Sequence, residues 1–334
     1  MNYEVLTGLS AGQLLMLTAR CAALAGDVAR PGGRPPAIGL LRSVALVVHL
    51  MRRNPVQAVA GATFGVSQPT ASRRWDLLRP IIRKAVAGFI PAPREVIGAG
   101  TALVDGTIAP TWDWKHIPDL FSGKEDMPGM NIQVAATLDG DIAAVGPFAV
   151  HGARHDAFAF EASGLKGILA GIHAAADLGY AGVEGIDIVP VKRLAAGKLD
   201  ECQTEFNVAF SKIRAAVERA VAHLKTWRML SGEGGRFRPP IEKFEETLQA
   251  ITGLMFFSTY EYSSRMKTTI SSYRCVPAAF VSRLQNAAIA AVRTSGMPLR
   301  GSVKSRSHWI ASTMRGAVPR SVTVIPQSTN PAAR

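Results

Sequence analysis

AAADLGYAGV, residues 174–183, is a run of small residues that delivers one acid, Asp177, and then breaks on Gly179. The lead-in IHAAAD reads as a short buried strand with a carboxylate at its tip, where the glycine lets the chain leave without crowding what that carboxylate serves. A second stretch has the same build: TALVD, residues 101–105, is an apolar run ending in Asp105 just before Gly106. Between the two, NIQVAATL and IAAVGPFAV flank the turn signal Asp139-Gly140 and predict a β-hairpin. Short buried strands with two strand-end acids predict an α/β unit.

Downstream, TEFNVAFSKIRAAVERAVAHLKTWRML, residues 204–230, predicts one long amphipathic helix, because Phe206, Phe210, Ile213, Val217, Val221 and Leu224 recur at three- and four-residue steps. Arg214, Glu218 and Lys225 form a stripe beside that apolar face, which sets Glu218 at the border of the core. Taken singly, an Asp at a strand tip is ordinarily a turn residue and a helix Glu is ordinarily solvated. Two strand-end carboxylates with a helix carboxylate facing them are together a set able to hold two divalent ions, Mg²⁺ or Mn²⁺, hard cations that take oxygen ligands. Such a pair, about 4 Å apart, activates an attacking oxygen and stabilises the leaving oxygen of a phosphodiester.

Toward the N-terminus, residues 5–26 and 37–53 show helical apolar spacing on either side of the break RPGGRPP. In residues 54–86, NPVQAVAGATFGVSQPTASRRWDLLRPIIRKAV, one helix over about 55–64 ends at Gly65, a short turn places Val66 inward, and Ser67 caps a second helix that tolerates Pro69 in its first turn. This is helix-turn-helix spacing over about 55–86. Ala71, Trp75 and Leu78 face inward. Ser67, Gln68, Thr70, Ser72, Arg73 and Arg74 are left outward near the start of the second helix, and these residue types contact base edges and phosphates in a major groove. The competing reading is a helical hairpin with a solvated basic face. The linker FIPAPREVIGAG follows.

Charge is spread unevenly along the chain: residues 1–95 carry +8, residues 96–257 carry −5 and residues 258–334 carry +10. Basic flanks around an acidic centre predict a polyanionic partner, since each phosphate contact releases counterions. The three cysteines, Cys21, Cys202 and Cys275, lie far apart without CxxC spacing, which excludes a zinc knuckle and a disulfide framework. The longest apolar run, SVALVVHLM, is too short to span a bilayer, and the start of the chain has no basic leader. The expectation is a cytoplasmic protein without a membrane partner.

Six segments in order carry a resemblance: VDGT at 104–107, DLFSGK at 119–124, MNIQVAATLDG at 130–140, GARHDAFAF at 152–160, ADLGY at 176–180 and the helix EFNVAFSKIRAAVERAVAHLKTWRML. Together they resemble DDE transposases of bacterial insertion sequences, specifically the Harbinger-like branch, over roughly residues 40–257. The resemblance implies a ribonuclease-H-like catalytic fold, double-stranded DNA as substrate and partner, assembly of a homo-oligomer on DNA, and a nucleoid-associated location. It carries the metal-binding carboxylates over to Asp105, Asp177 and Glu218. Asp156, in HDAF, is a recurrent position of that family; it is either a supporting acid or a loop residue bonding its own backbone. Arg214 and Lys225 are either phosphate-contacting or Glu-orienting groups, or partners in intrahelical ion pairs. The chain departs from the family's pattern after FSGK, where Glu125, Asp126, Met127 and Pro128 stand in place of further basic residues.

The organisation expected is therefore a helical DNA-binding region over 1–95, a catalytic region over 96–257 and a basic extension over 258–334, partly disordered, in which only AAFVSRLQNAAIAAVRT has helical spacing. An aspartyl-phosphate phosphatase, suggested by VDGT, would need an Asp at position 103, which is Leu103. The remaining alternative is a transposase-derived protein that binds DNA without cutting it.

Overall fold

A computed structural model describes residues 1–25, 37–112, 116–117, 119–193 and 197–266. Cys275, the break at residues 30–36, the helical spacing at 278–294 and nearly all of the basic extension lie outside the described residues.

Helices α1 (Tyr3–Thr7), α2 (Ala11–Ala25), α3 (Leu40–Arg53), α4 (Gln57–Phe64) and α5 (Gln68–Val86) form the N-terminal layer. The periodicity expected from residue 5 onward is broken into two helices by Gly8, which ends α1 in a left-handed conformation at φ 74°. Gly65 does the same for α4 at φ 70°, and the three-residue turn it begins hands the chain to α5. Ala71, Trp75 and Leu78 are buried, as the spacing predicts. Ser67 stands at the N-cap position, but its hydroxyl contacts the Thr70 hydroxyl at 3.1 Å and makes no bond to the helix backbone. A short helix, α6 (Pro93–Ile97), leads into the sheet.

The sheet contains β1 (Ala102–Pro110), β2 (Phe121–Ser122), β3 (Met127–Ala136), β4 (Ile142–Val145), β5 (Val150–His151) and β6 (Ala174–Ala175). Its path is β2-β3-β1-β6, with β4 and β5 also pairing with β3. β1 runs antiparallel to β3 and parallel to β6. The hairpin at Asp139-Gly140 is present between β3 and β4, with Gly140 at φ 91°. The apolar run after it is divided into β4 and β5 by the Gly146-Pro147 step.

Along β1 and its neighbours the side chains alternate between two cores. Leu103, Val134 and Ala175 pack with Phe210, Val217 and Leu224 of α9 (Glu201–Lys225) on one face. Val104, Ala135 and Ala174 pack on the other face with Phe160 of α7 (Asp156–Ala162) and Leu165 of α8 (Leu165–Ile168). The protein is thus α/β, a sheet covered by helices on both faces.

The last described element, α10 (Phe244–Met266), crosses the expected boundary after residue 257, packs along α5 and touches α2. Arg79 of α5 donates from Nε and Nη2 to Glu246 Oε2 at 3.0 and 2.8 Å, and Arg83 donates to Gln249 at 3.0 Å. Gln13 of α2 donates to the Ser258 carbonyl at 2.8 Å. Gly253 lies so close to Val86 that a Cβ there would overlap the valine side chain. A continuous apolar core therefore runs from Leu14 and Trp75 through Phe257 to Val134 and Val217.

Candidate active site

Two acids meet beside the end of β6, where the neighbouring β1 continues. The parallel register pairs Ala102 with Ala174 and Leu103 with Ala175, and carrying it two residues further sets Asp105 level with Asp177. Leu103 and Ala175 face α9, so both acids face α9 too. There Arg214 meets them: its Nη2 is 3.4 Å from Asp105 Oδ2 and 3.7 Å from Asp177 Oδ2. The expected strand-end placement holds only for Asp177. It follows the two-residue β6, caps the turn at Leu178–Tyr180 and accepts from the Gly179 N–H at 2.8 Å. Asp105 is in mid-strand, because β3 supplies a ladder partner at every step from Leu103 to Pro110 and Gly106 does not end the strand.

Gly106 has a different use. It points to the opposite face of the sheet, where a Cβ would collide with Asp156 Oδ1 and Gln133 Nε2. Asp156, the first residue of α7, is held there by Asn131 Nδ2 at 2.9 Å and, more loosely, by Gln133 Nε2 at 3.4 Å. Asn131 and Gln133 alternate on β3, and Tyr180 donates its hydroxyl to Gln133 Oε1 at 2.7 Å. This amide-and-tyrosine support was missed in the sequence, where NIQ reads as part of an apolar strand; the available signal was two amides spaced by two, on one strand face. Asp156 also pairs with Lys124 at 3.8 Å, but that lysine is 72% exposed and the pair contributes little.

The electrostatics match this crowding. Burial pushes the Asp105 carboxyl above its ordinary pKa, the Arg214 charge and the Gly106 N–H pull it back, and the Asp177 and Asp156 charges raise it further. Burial likewise raises the Tyr180 phenol, helped by the same three carboxylates, so this hydroxyl stays a donor.

The structure does not bring every expected group here. Glu218 is exposed rather than at the border of the core, and no hydrogen bond or ion pair among the described residues joins its carboxylate to another group. Lys225 is half-buried, with its pKa lowered by burial, and the opposing charge acting on it is Glu125. Eleven residues of helix, roughly 16 Å, separate it from Arg214. Among the described residues no three acids, histidines or cysteines are grouped closely enough to share an ion.

A family profile described as DDE superfamily endonuclease matches residues 104–255, which take in most of β1, the two acids, α9 and the first half of α10. A protein of Streptomyces albus G, named as the transposase for insertion sequence element IS112, is 31% identical over 199 residues, 59% of this chain and 73% of the relative. This chain belongs to the DDE transposases of insertion sequences. No solved structure matches it. In this DDE family member the matched span begins one residue before Asp105, so the mid-strand acid, the strand-tip acid and the helix bearing Arg214 and Glu218 all lie within the shared region.

A second polar surface lies on the N-terminal layer. Thr70, Arg73 and Arg74, at the start of α5, line a depression with Ala37 and Leu77. Gln68 donates to Gln57 of α4 at 2.9 Å and Arg73 donates to Thr70 at 3.2 Å, so these groups are held by one another rather than by the core. Ser67 and Arg73 are exposed and Ser72 and Arg74 half-exposed. No described helix is long and apolar enough to cross a membrane. Cys21 is buried and Cys202 exposed, both as free thiols.

Proposed function

We propose that this chain is a transposase that binds the ends of its own mobile element through residues 1–95 and cuts DNA with the acids of the sheet, working as a homo-oligomer on double-stranded DNA. The observation that carries this reading is the convergence of Asp105 and Asp177, from adjacent parallel strands, on one cationic nitrogen. A central strand flanked by an antiparallel hairpin and a parallel strand supports the ribonuclease-H-like reading of the catalytic region, with the acidic stretch 96–257 between basic flanks. The α4–turn–α5 pair supports the helix-turn-helix reading, with Ser67, Gln68, Thr70, Ser72, Arg73 and Arg74 toward DNA.

The donor set fits divalent cations. Two hard carboxylates already share one positive charge, and Mg²⁺ is commonly held by one or two carboxylates with its remaining positions taken by water and substrate phosphate. Asp105 and Asp177 would hold the ions, Mg²⁺ or Mn²⁺, with Glu218 as the third carboxylate. The chemistry supplied by bound ions is activation of an attacking oxygen and stabilisation of the leaving oxygen. The chain's own residues do the positioning: the Gly179 N–H orients Asp177, the Gly106 N–H orients Asp105 at 2.9 Å, and Asp156 with its amides holds β1 against α7. The reaction is hydrolysis that frees a 3′-hydroxyl, followed by attack of that hydroxyl on target DNA.

The exposed Glu218, with no ion pair among the described residues, favours a second reading, a transposase-derived protein that binds DNA without cutting. One experiment separates the two. With DNA carrying the inverted repeats that flank the gene, Asp177→Asn should abolish divalent-dependent cleavage and leave binding intact, while Arg73→Ala with Arg74→Ala should weaken binding and lower its salt slope by about one unit for each phosphate that the arginines neutralise. A wild-type protein that binds and never cuts would establish the second reading, and cleavage by the Asp177→Asn protein would remove Asp177 from the site.

A further inference from the structure

We infer that Arg214 is a built-in counter-ion that competes with divalent cations for the Asp105–Asp177 pair, so that loading of the pair depends on where this side chain points. The inference rests on the reading of these two acids as a cation-binding pair, and goes beyond it by assigning the arginine a gating role.

Three features support it. A single nitrogen, Nη2, serves both carboxylates, at 3.4 and 3.7 Å, so the guanidinium stands between the oxygens an ion would need. Those separations are long for charge-assisted N–H···O bonds, which settle at about 2.7–2.9 Å, so the arginine neutralises the pair without being locked to it. Its Nε is buried with no acceptor among the described residues, a cost that a firmly seated arginine would avoid. The side chain is 26% exposed, which leaves it a way out.

Asp105 is the more enclosed of the two acids, at 16% exposure, and has Asp156 behind it on the other face of the strand. A nearby cation stabilises carboxylates so placed in their charged form, and guanidinium, always charged, provides one before any metal arrives. An arginine that has left the pair is a phosphate-binding group. DNA and metal therefore favour the same state, with the guanidinium away from the carboxylates, and by linkage each should tighten the binding of the other.

The test is calorimetric titration of the full-length protein with Mn²⁺, without DNA and with a short duplex present, on wild type, Arg214→Gln and Asp177→Asn. Arg214→Gln should bind Mn²⁺ about tenfold more tightly than wild type without DNA, the magnitude set by removing a unit charge beside a carboxylate. The duplex should tighten Mn²⁺ binding by wild type and leave Arg214→Gln unchanged. Should the amide impair folding, as judged by circular dichroism, Arg214→Met keeps the apolar stem and carries the same expectation. Binding that depends on Asp177 but is equal in wild type and the Arg214 variants would overturn the gating role and leave the cation site standing. Absence of Asp177-dependent binding in every protein would overturn both.

Discussion

Position 106 has no room for a side chain, because Asp156 Oδ1 and Gln133 Nε2 occupy the space a Cβ would take. Gly106→Ala should therefore push α7 away from β1 and lower stability by about 1–3 kcal/mol, the usual cost of overpacking, read as a fall in the melting temperature. His49 gives a prediction of another kind. It is buried beside Phe64, its Nδ1 donates to the Leu6 carbonyl at 3.0 Å, and burial lowers its pKa, assisted by the charge of Arg53. Below the ordinary histidine value the unfolded chain takes up a proton that the folded chain resists, so stability should be full above about pH 7 and fall as the pH drops toward 5. His49→Gln should flatten the slope of melting temperature against pH, and an unchanged slope would show that His49 is not the group involved. For single residues the sequence points to Asp105 and Asp177, each closing an apolar run beside a glycine, although only Asp177 stands at a turn. It does not show how far Glu218 lies from them. At 3.6 residues per turn Glu218 sits about 100° around the helix from buried Val217, beyond the apolar stripe; Arg214 reaches inward from the stripe's edge because its side chain is longer.

Among elements, the packing of α5 on α10 is the one that local pattern cannot reveal, since the two helices are more than 150 residues apart and α10 is buried all round over residues 250–255. Its polar centre is Arg79, whose side chain is 8% exposed, against Glu246 at 30%. Glu246→Ala should cost about 2 kcal/mol, below the full price of breaking a buried pair because the glutamate is partly solvated. Adding Arg79→Met should recover part of that stability in thermal melts; a double variant no better than the single would show that the arginine finds another partner. By contrast the β3–β4 hairpin, the α4–α5 turn and α9 were legible, because each is announced locally by a turn signal, a left-handed glycine or a sustained helical period. The length of β1 was not, because Gly106 reads as a terminator unless its partner strand and Asp156 are known.

For the whole molecule, the described core runs to Phe257, and the helix that carries it, α10, continues to Met266. Phe257 meets Phe89 edge to face at 4.8 Å, and Ser258 accepts from Gln13. Truncation after Met266 should leave the melting transition within a few degrees and reduce non-specific DNA affinity, because residues 267–334 carry ten basic and no acidic residues. Truncation after Lys243 should leave the N-terminal helices without the partner of Trp75 and Arg79, and proteolysis should digest residues 1–95 as readily as an unfolded chain. A protease-resistant 1–95 fragment in that protein would show that these helices close their core alone.

The return of α10 onto α5 also sets an order of events during synthesis. The residues that present Arg73 and Arg74 leave the ribosome early, yet the helix that completes their packing follows only about 150 residues later, roughly 7–30 s at ordinary elongation rates. Until then the part of α5 that meets α10, around Arg79 and Val86, waits uncovered. A polypeptide released early, by a stop codon or a broken message, would carry the basic helix with its α10 partner missing and Arg79 without Glu246.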